Sequence, residues 1–248
     1  MKLHTKHTLA LATLALCGTA ALAQSAPETS LSFNVGAVSE YRYRGLSQSG
    51  LEPALQAGVD YAHSSGLYVG AWASSIKWIK ETAPGLKGDT EIDIYGGYKT
   101  EIAKDLTADV GLLRYQYPNN NYKLSTGANA NTTEVYGALT YGPVTAKYSY
   151  ALTDLFGYAD SKGSTYLDLS ATFDLGNGFS LVPHAGYQKV KNVPNVDVVD
   201  YSLTLAKDLG NGLSVSAAWV GTDVDFTSPK TGDKLSGDKL VVGVKYSF

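Results

Sequence analysis

The chain has 248 residues, a formal net charge of −3, four histidines, one cysteine and one methionine. A mildly acidic chain without a basic run argues against nucleic-acid binding, and a single cysteine excludes an internal disulfide framework and a cysteine-based metal site. The 18 tyrosines and 26 glycines are typical of a β-rich protein with many turns. After residue 23 no apolar run reaches the roughly 18 residues that a membrane helix needs.

The first 23 residues have the pattern of a secretion signal peptide. Two lysines precede a short apolar run at residues 9–16, and the Ala-Leu-Ala sequence at 21–23 is a small-x-small cleavage site. We therefore expect a signal peptide at 1–23 and a single outer-membrane β-barrel domain at 24–248. Removal of the signal peptide takes away two lysines and the cysteine, so the formal charge changes from −3 to −5.

Alternation of apolar and polar residues with a period of two begins at Leu31. It predicts β-strands, because successive strand side chains point to opposite faces. The first predicted strand runs from Leu31 to Arg44 and carries charges on one face only. Further strands are predicted at residues 55–61, 67–76, 92–99, 106–114, 135–141, 144–150, 165–173, 179–188, 199–205, 213–219 and 239–248.

The connections between these strands alternate in length. Long polar links occur near residues 45, 77, 118, 154, 191 and 223. Short links, most of them with glycine, occur near residues 63, 100, 142, 174 and 207. An even strand number with tight turns on one rim and longer loops on the other is typical of bacterial outer-membrane barrels. We predict an all-β fold, a transmembrane antiparallel β-barrel of about 12 strands with up-and-down topology. Its N- and C-termini are expected in the periplasm of a Gram-negative bacterium.

The polar strand faces are charged on strand after strand. A water-soluble barrel or sandwich is the structural alternative, but its dry core would need a buried partner for each of these charges. In a membrane barrel they line a hydrated lumen and need none. The candidate lumen or constriction residues are Glu40, Arg42, Arg44, Asp60, Glu91, Asp93, Lys147, Asp168 and Lys245. The tyrosines that could also fill the interior are Tyr68, Tyr95, Tyr136 and Tyr166.

The last strand, residues 239–248, has one continuous apolar face that ends in Tyr246 and Phe248. A membrane barrel needs a final strand that pairs with the first and carries an aromatic residue at the lipid boundary. The strand resembles the C-terminal signal by which outer-membrane proteins are recognised for insertion. We therefore expect two partners, the outer-membrane lipids and the barrel-assembly machinery.

Two residues test the strand register. Arg114 continues the apolar face of its strand, at a height where a lipid-facing arginine costs about 0–1 kcal/mol rather than the 2–4 kcal/mol of the midplane. It therefore either lies near the interface or is turned inward by a bulge. Pro183 lacks the N–H that a closed barrel requires, so we expect a bulge there.

Four stretches resemble one family of bacterial proteins. They are residues 38–48 (VSEYRYRGLSQ), 53–61 (PALQAGVDY), 65–74 (SGLYVGAWAS) and 91–98 (EIDIYGGY). They are similar to the TorF family of porin-like proteins, also known as the Gcw_chp family of proteobacterial proteins, and the likeness extends over most of the chain after residue 23. The resemblance implies an outer-membrane barrel with channel activity. It brings no catalytic motif, so no residue role is taken from it.

These patterns predict a porin-like channel for passive diffusion of small polar or ionic solutes, without catalysis, cofactor or bound metal. Glu40, Arg42 and Arg44 would set a transverse field across a constriction. Alternatively, they pair with Asp60 or with acidic loop residues and only hold the wall together. The loop at residues 118–131 either folds inward or stays solvated.

Two other functions stay open: a plugged barrel without transport, and an outer-membrane lipid-modifying enzyme. An enzyme of that kind needs a nucleophile beside a base. His63 has Ser64 next to it, but on a tight turn, and His184 faces the lumen without a neighbouring serine. Both histidines are therefore predicted to be non-catalytic.

Overall fold

The computed structural model describes residues 28–248, so the predicted signal peptide lies outside the described residues. Twelve antiparallel strands form one closed barrel, as the alternation predicts. In chain order the elements are β1 (Thr29–Val38), β2 (Arg42–Tyr43), β3 (Leu46–Ser47), β4 (Ala54–His63), β5 (Leu67–Ser75), α1 (Trp78–Thr82), β6 (Thr90–Ala103), β7 (Leu106–Gln116), α2 (Lys123–Thr126), β8 (Thr132–Tyr141), β9 (Val144–Ala151), β10 (Thr165–Ala171), β11 (Phe173–Gly176), β12 (Phe179–Lys189), β13 (Val198–Gly210), β14 (Leu213–Thr222) and β15 (Lys239–Ser247).

Apart from β1 and β15, which pair with each other, each barrel strand pairs with the barrel strands before and after it in sequence. The short β2 and β3 form a separate hairpin, and β10 and β11 are two parts of one barrel strand that both pair with β12. The barrel closes between β1 and β15, from Asn34 opposite Ser247 to Val38 opposite Gly243. The predicted pairing of the last strand with the first is therefore confirmed.

The barrel has two unlike ends. The end with the short connections at residues 64–66, 104–105, 142–143, 177–178 and 211–212 is called the turn end here. The opposite loop end carries residues 39–53, 76–89, 117–131, 152–164, 190–197 and 223–238. Both Thr29 and Ser247 lie at the turn end, opposite His63 and beside Gly212 respectively.

Two turns at the turn end share the sequence Asp-Leu-Gly-Asn-Gly. In each, asparagine and glycine occupy the two central positions with positive φ, 51° and 75° at Asn177 and Gly178, 52° and 80° at Asn211 and Gly212. Positive φ at both positions is what a two-residue turn needs to match the twist of its strands, and Asn-Gly tolerates it best. The sequence therefore sets the register of both hairpins.

The outer face of the barrel is apolar and exposed. Its large exposed side chains include Leu31, Val69, Ile94, Val110, Leu139, Leu169, Leu203, Val215 and Val242. A contiguous apolar surface of this size is the mark of a protein that sits in lipid rather than water. No helix within residues 28–248 is long and apolar enough to cross a membrane.

Neither the bulge expected at Pro183 nor the bulge that was one alternative for Arg114 is present in the register of these strands. Arg114 lies opposite Ile94 and Thr133 and stays on the outer face. Its guanidinium donates hydrogen bonds to Thr133 (2.8 Å) and Gln116 (3.2 Å), which supply polar partners on that face. Opposite Pro183 the pairing is interrupted without a change of register, because β12 pairs with Ser170 of β10 and next with Phe173 of β11.

The predicted first strand is wrong beyond Val38. β1 ends there, and residues 39–53 turn into the barrel, where Glu40 and Tyr41 are both buried. The period-two pattern of residues 40–44 arises from an extended segment with protein on both sides. Alternation reports an extended backbone, and it does not say whether the segment belongs to the wall.

Candidate functional site

The most prominent feature of the barrel interior is the segment 39–53, called the inner loop here. It leaves the wall after β1 and returns to it at β4, and Val38 and Ala54 are directly paired. Within it, Arg44 and Gly45 have positive φ (47° and 77°) and reverse the chain between β2 and β3. Glycine is needed at that turn, because a side chain on Gly45 would lie 2.6 Å from Thr222 Cβ.

Arg44 at the tip of the inner loop is held from several sides. Its guanidinium donates to both carboxylate oxygens of Glu134 on β8, at 3.0 and 3.2 Å, and to Gln188 on β12. It also lies over the ring of Tyr166, 4.0 Å from the ring centroid. The side chains of Arg44 and Glu134 are 7% and 3% exposed. The ion pair is therefore buried, and it joins the inner loop to the far wall.

The two tyrosines of the inner loop contact β5, β6 and β7 of the wall. Tyr41 donates a hydrogen bond to Glu91 on β6 (3.0 Å), and its ring packs edge-on against Trp72 on β5 (5.4 Å between centroids). The hydroxyls of Tyr43 and Tyr115 on β7 are 2.7 Å apart. Together with Arg44, these residues connect the inner loop to six barrel strands, β5, β6, β7, β8, β10 and β12.

Arg42 joins two parts of the inner loop to each other and joins the inner loop to the loop at residues 223–238. Its guanidinium donates to Glu40 (2.8 Å) and to the carbonyl oxygens of Gly45 (2.9 Å) and Gly237 (2.7 Å). The Ser47 N–H donates to the Leu235 carbonyl oxygen at 2.9 Å. The wall residues Glu91, Glu134 and Gln188, which contact the inner loop, are at most 4% exposed. The inner loop therefore fills the loop-end half of the lumen.

The loop end is covered by aromatic and aliphatic side chains above the inner loop. The long polar link predicted near residue 77 contains α1, whose Ile79 is fully buried. Trp78 packs against Tyr117 and Tyr122, with ring centroids 5.3 and 5.2 Å apart. The loop at 118–131 thus packs against α1 at the rim, and the segment that enters the lumen is the inner loop.

Glu81 of α1 is a buried acid in this cover. One of its carboxylate oxygens has no hydrogen-bond partner, and a side chain on Gly50 of the inner loop would collide with the other. Ser228 donates to the Glu81 carbonyl oxygen at 3.2 Å. Burial raises the pKa of the Glu81 carboxyl, and the nearby Lys77 opposes that shift.

The turn-end half of the lumen is polar and only half-buried. Tyr95 donates to Asp60 at 2.5 Å, and Tyr68 donates to Asp109 at 2.6 Å. The Lys147 ammonium lies 4.2 Å from the centroid of the Tyr136 ring. The charged residues Asp60, Asp109, Lys147 and Lys245 keep partial contact with solvent. This half is therefore a charged vestibule open to water.

Four polar residues form a cluster on the opposite wall. His184 Nε2 is 3.2 Å from Asp168 and its Nδ1 is 3.6 Å from Asp200. Tyr166 donates to Asp200 at 3.0 Å. The prediction that His184 faces the lumen is confirmed by these contacts. Asp200 could have been predicted to face the lumen, because it alternates with the outward Val199 and Tyr201.

The structure places the nine predicted lumen residues in two groups. Glu40, Arg42 and Arg44 lie on the inner loop rather than on the wall. The residues on the inward face of barrel strands are Asp60, Glu91, Asp93, Lys147, Asp168 and Lys245. Of the alternative partners expected for the arginines, Asp60 is not used, because Arg44 pairs with Glu134 on the wall, whereas Arg42 pairs with Glu40, an acid of the inner loop. Glu134 was missed, although it alternates with the outward Val135.

The histidine considered for catalysis lies on an exposed turn. His63 Nδ1 accepts the N–H of Ser65 at 3.0 Å and is 2.7 Å from its hydroxyl oxygen, whereas Nε2 is 3.7 Å from Glu28. Hydrogen bonds between residues that are two positions apart in sequence, such as His63 and Ser65, are usual within a turn. Within residues 28–248, no three His, Cys, Asp or Glu side chains are arranged to hold a metal ion.

Comparison with solved structures finds the same barrel architecture in porins. A structure titled "KdgM porin" superposes with a TM-score of 0.55 at 9% identity, covering 88% of this chain and 99% of that one. The "NanC porin" gives a TM-score of 0.57 at 12% identity with the same coverage. At such low identity the likeness shows the fold.

Sequence comparison gives a family match. The family model described as "Bacterial protein of unknown function (Gcw_chp)" matches residues 21–248. A comparison with curated proteins finds no significant match.

Proposed function

This chain belongs to the Gcw_chp family, and we propose that it is a porin-like channel of the outer membrane for passive diffusion of small polar or ionic solutes. The observation that carries the proposal is the contrast between the two faces of the wall. The outer face is an exposed apolar belt, and the turn-end lumen is lined by Asp60, Asp109, Lys147 and Lys245. Charged side chains inside an apolar wall provide a path for polar solutes through lipid.

The proposed orientation puts the turn end in the periplasm and the loop end outside the cell. Short periplasmic turns and longer external loops are the rule for outer-membrane barrels. The partners proposed with it are lipid around the apolar belt and the barrel-assembly machinery, which would read β15 and Phe248. Protease added to intact cells tests the orientation, since a cleavage site inserted at residue 129 should be cut and one inserted at residue 211 should not.

The inner loop is proposed as the constriction of the channel. It occupies the loop-end half, so solute passage depends on its displacement or on the gaps beside it. A second function, a plugged barrel without transport, is favoured by one specific observation: the buried pair of Arg44 and Glu134 ties the loop to the far wall. The two functions make opposite predictions about conductance.

The experiment is single-channel recording in planar bilayers with two proteins. One is the natural chain, and the other carries a short glycine-serine turn in place of residues 40–51. Because Val38 and Ala54 are directly paired, a short turn joins β1 and β4 without straining the barrel. The channel hypothesis expects small discrete conductance from the natural chain and much larger conductance from the variant.

Each outcome separates the alternatives. Conductance from the variant alone would support the plugged barrel, and absence of discrete conductance from both proteins would overturn the channel. The double substitution Arg42→Gln and Arg44→Gln adds a test of the charge role. If ion selectivity is unchanged in that variant, the two arginines do not form the filter.

A catalytic role is not proposed, and it has its own test. Mass spectrometry of phospholipid and lipid A after incubation with the refolded protein would reveal hydrolysis. Products that disappear in both His63→Ala and Ser65→Ala would restore the enzyme hypothesis, because His63 Nδ1 is 2.7 Å from the Ser65 hydroxyl oxygen.

A further inference from the structure

The carboxylates around the inner loop are not all matched by cations. Arg44 is paired with Glu134 and Arg42 with Glu40. His184 lies between Asp168 and Asp200. Within residues 28–248, no arginine, lysine or histidine nitrogen lies within 4.0 Å of the carboxylates of Glu91 and Asp93.

Asp93 is the most isolated of these acids. It is 5% exposed, and its Oδ1 is buried without a hydrogen-bond partner. Glu91, two residues earlier on the same inward face of β6, is 2% exposed and accepts a hydrogen bond from Tyr41. Of these two buried carboxylates on one face of β6, only Glu91 receives a hydroxyl donor from the inner loop.

Asp93 lies at the boundary between the inner loop and the vestibule. On one side, Glu91 contacts the inner loop through Tyr41. On the other side, Tyr95 is the next inward residue of β6 and donates to Asp60 in the vestibule. The cross-strand neighbours of Asp93 are the aromatic residues Trp72 and Tyr115. Asp93 therefore lies at the level where the vestibule meets the inner loop.

Burying an ionised carboxylate without a partner costs several kcal/mol, so such a group needs a counter-charge or a proton. The lysine on this side of the lumen, Lys147, has its ammonium over the Tyr136 ring, 4.2 Å from the ring centroid. A mobile cation is a counter-charge that the pore itself can supply, and it competes with the proton for these carboxylates. Acidic side chains in a pore lining attract cations and repel anions.

We propose that Asp93 and Glu91 form a binding station for small monovalent cations at the edge of the inner loop, and that the channel prefers cations. This inference rests on the proposed channel function and names its class of solute. The station consists of two carboxylates, since no third His, Cys, Asp or Glu among residues 28–248 is placed to complete a metal centre with them. Asp93 is the determining residue, because Glu91 is already engaged by Tyr41.

The test compares three proteins in a KCl gradient across a planar bilayer. The natural chain is expected to give a reversal potential of the sign that K⁺ preference produces. Asp93→Asn, which keeps the shape and removes the charge, should bring the K⁺ to Cl⁻ permeability ratio toward one. Asp160→Asn is the matched control, because it removes the same charge from an exposed side chain of the loop at residues 152–164, outside the lumen. It should leave most of the preference intact.

A second measurement separates failure of the station from failure of the channel. Thermal unfolding in detergent is compared in KCl and in N-methyl-D-glucamine chloride at equal ionic strength. K⁺ should raise the unfolding temperature of the natural chain and not that of Asp93→Asn. If no discrete conductance appears, the channel is overturned while this K⁺ effect still tests the station. Anion preference, equal effects of the two substitutions, or a K⁺ effect that survives in Asp93→Asn would each overturn the station.

Discussion

Arg44 and Glu134 form a buried ion pair across the inside of the barrel, 3.0 Å from nitrogen to oxygen. Arg44 belongs to a loop that starts at β1, whereas Glu134 lies on β8, five strands away around the wall. The pair therefore fixes the position of the inner loop relative to a strand on nearly the opposite side. Its loss should affect both stability and passage through the lumen.

The substitution Arg44→Ala is expected to destabilise the protein. Removing one partner of a buried pair leaves the other charge buried alone, which costs about 3–5 kcal/mol. The free energy of unfolding, measured by urea titration in lipid vesicles, should fall by that amount. The control is Lys80→Ala, which removes an exposed ion pair with Asp89 and should cost about 0–1 kcal/mol. Equal losses in the two variants would contradict the anchoring role of Arg44.

The substitution Gly111→Ala is expected to disturb the vestibule. A methyl group on Gly111 would lie 2.5 Å from the Tyr136 hydroxyl oxygen and 2.8 Å from the Gly96 carbonyl oxygen. Overpacking of this kind costs about 1–3 kcal/mol. Gly137 on the next strand is the matched control, because a methyl group there has nothing within 4 Å. Urea unfolding should show a loss for Gly111→Ala and none for Gly137→Ala.

The substitution Glu81→Gln is expected to change how stability depends on pH. Because burial raises the pKa of Glu81 above its ordinary value of 4.5, the folded protein resists ionisation of this group. Its favourable contribution is complete below the ordinary value and is lost as the pH rises through the raised one. Thermal unfolding should therefore show that Glu81→Gln is the more stable protein at pH 7, with little difference at pH 4.

The charged groups facing Glu81 are Lys77, Lys230, Asp233 and Glu52. The control is Glu52→Gln, which removes the same formal charge from an exposed side chain that pairs with Lys77. It should give no gain in stability at pH 7. A gain in Glu52→Gln equal to that in Glu81→Gln would show that the effect is one of net charge rather than of burial.

The substitution Phe248→Ala is expected to affect assembly in cells more than stability. The Phe248 ring stacks on Phe33 and Tyr246, with centroids 5.8 and 5.4 Å apart, and such contacts contribute about 0.5–1.5 kcal/mol. Its backbone hydrogen bonds with Phe33 stay in place. Protein refolded in detergent should keep the compact form in gel electrophoresis, whereas the amount assembled in bacterial membranes should drop.

The control for this prediction is Phe226→Ala, on the exposed loop between β14 and β15. It should leave assembly in cells unchanged. If Phe248→Ala assembles as well as Phe226→Ala, the proposed signal role of the last residue is wrong.

The wall of the barrel could be predicted because each strand can be identified from its own sequence alone. A period of two identifies strands, and Asn177-Gly178 and Asn211-Gly212 fix hairpins locally. Membership of the Gcw_chp family is likewise confirmed by the family match, whereas the TorF name stays a prediction. Neighbouring strands in an up-and-down barrel are neighbours in sequence, so the topology follows from strand order.

The filling of the barrel could not be predicted in the same way. Residues 40–44 alternate as a wall strand does, and only the contacts of Arg44 with Glu134 and Gln188 show that they lie inside. Such contacts join residues 90 and more positions apart in sequence. Strand order gives no information on them, because it fixes neighbours along the wall and not partners across the lumen.

The direct pairing of Val38 with Ala54 has a consequence for the order of folding. Both ends of the inner loop start from the same place on one rim, so the loop can enter a closed barrel without threading a chain end through it. Its partners on β6, β8 and β12 are brought together only when the wall is nearly complete. We therefore expect the inner loop to dock only after these strands have been joined in the wall.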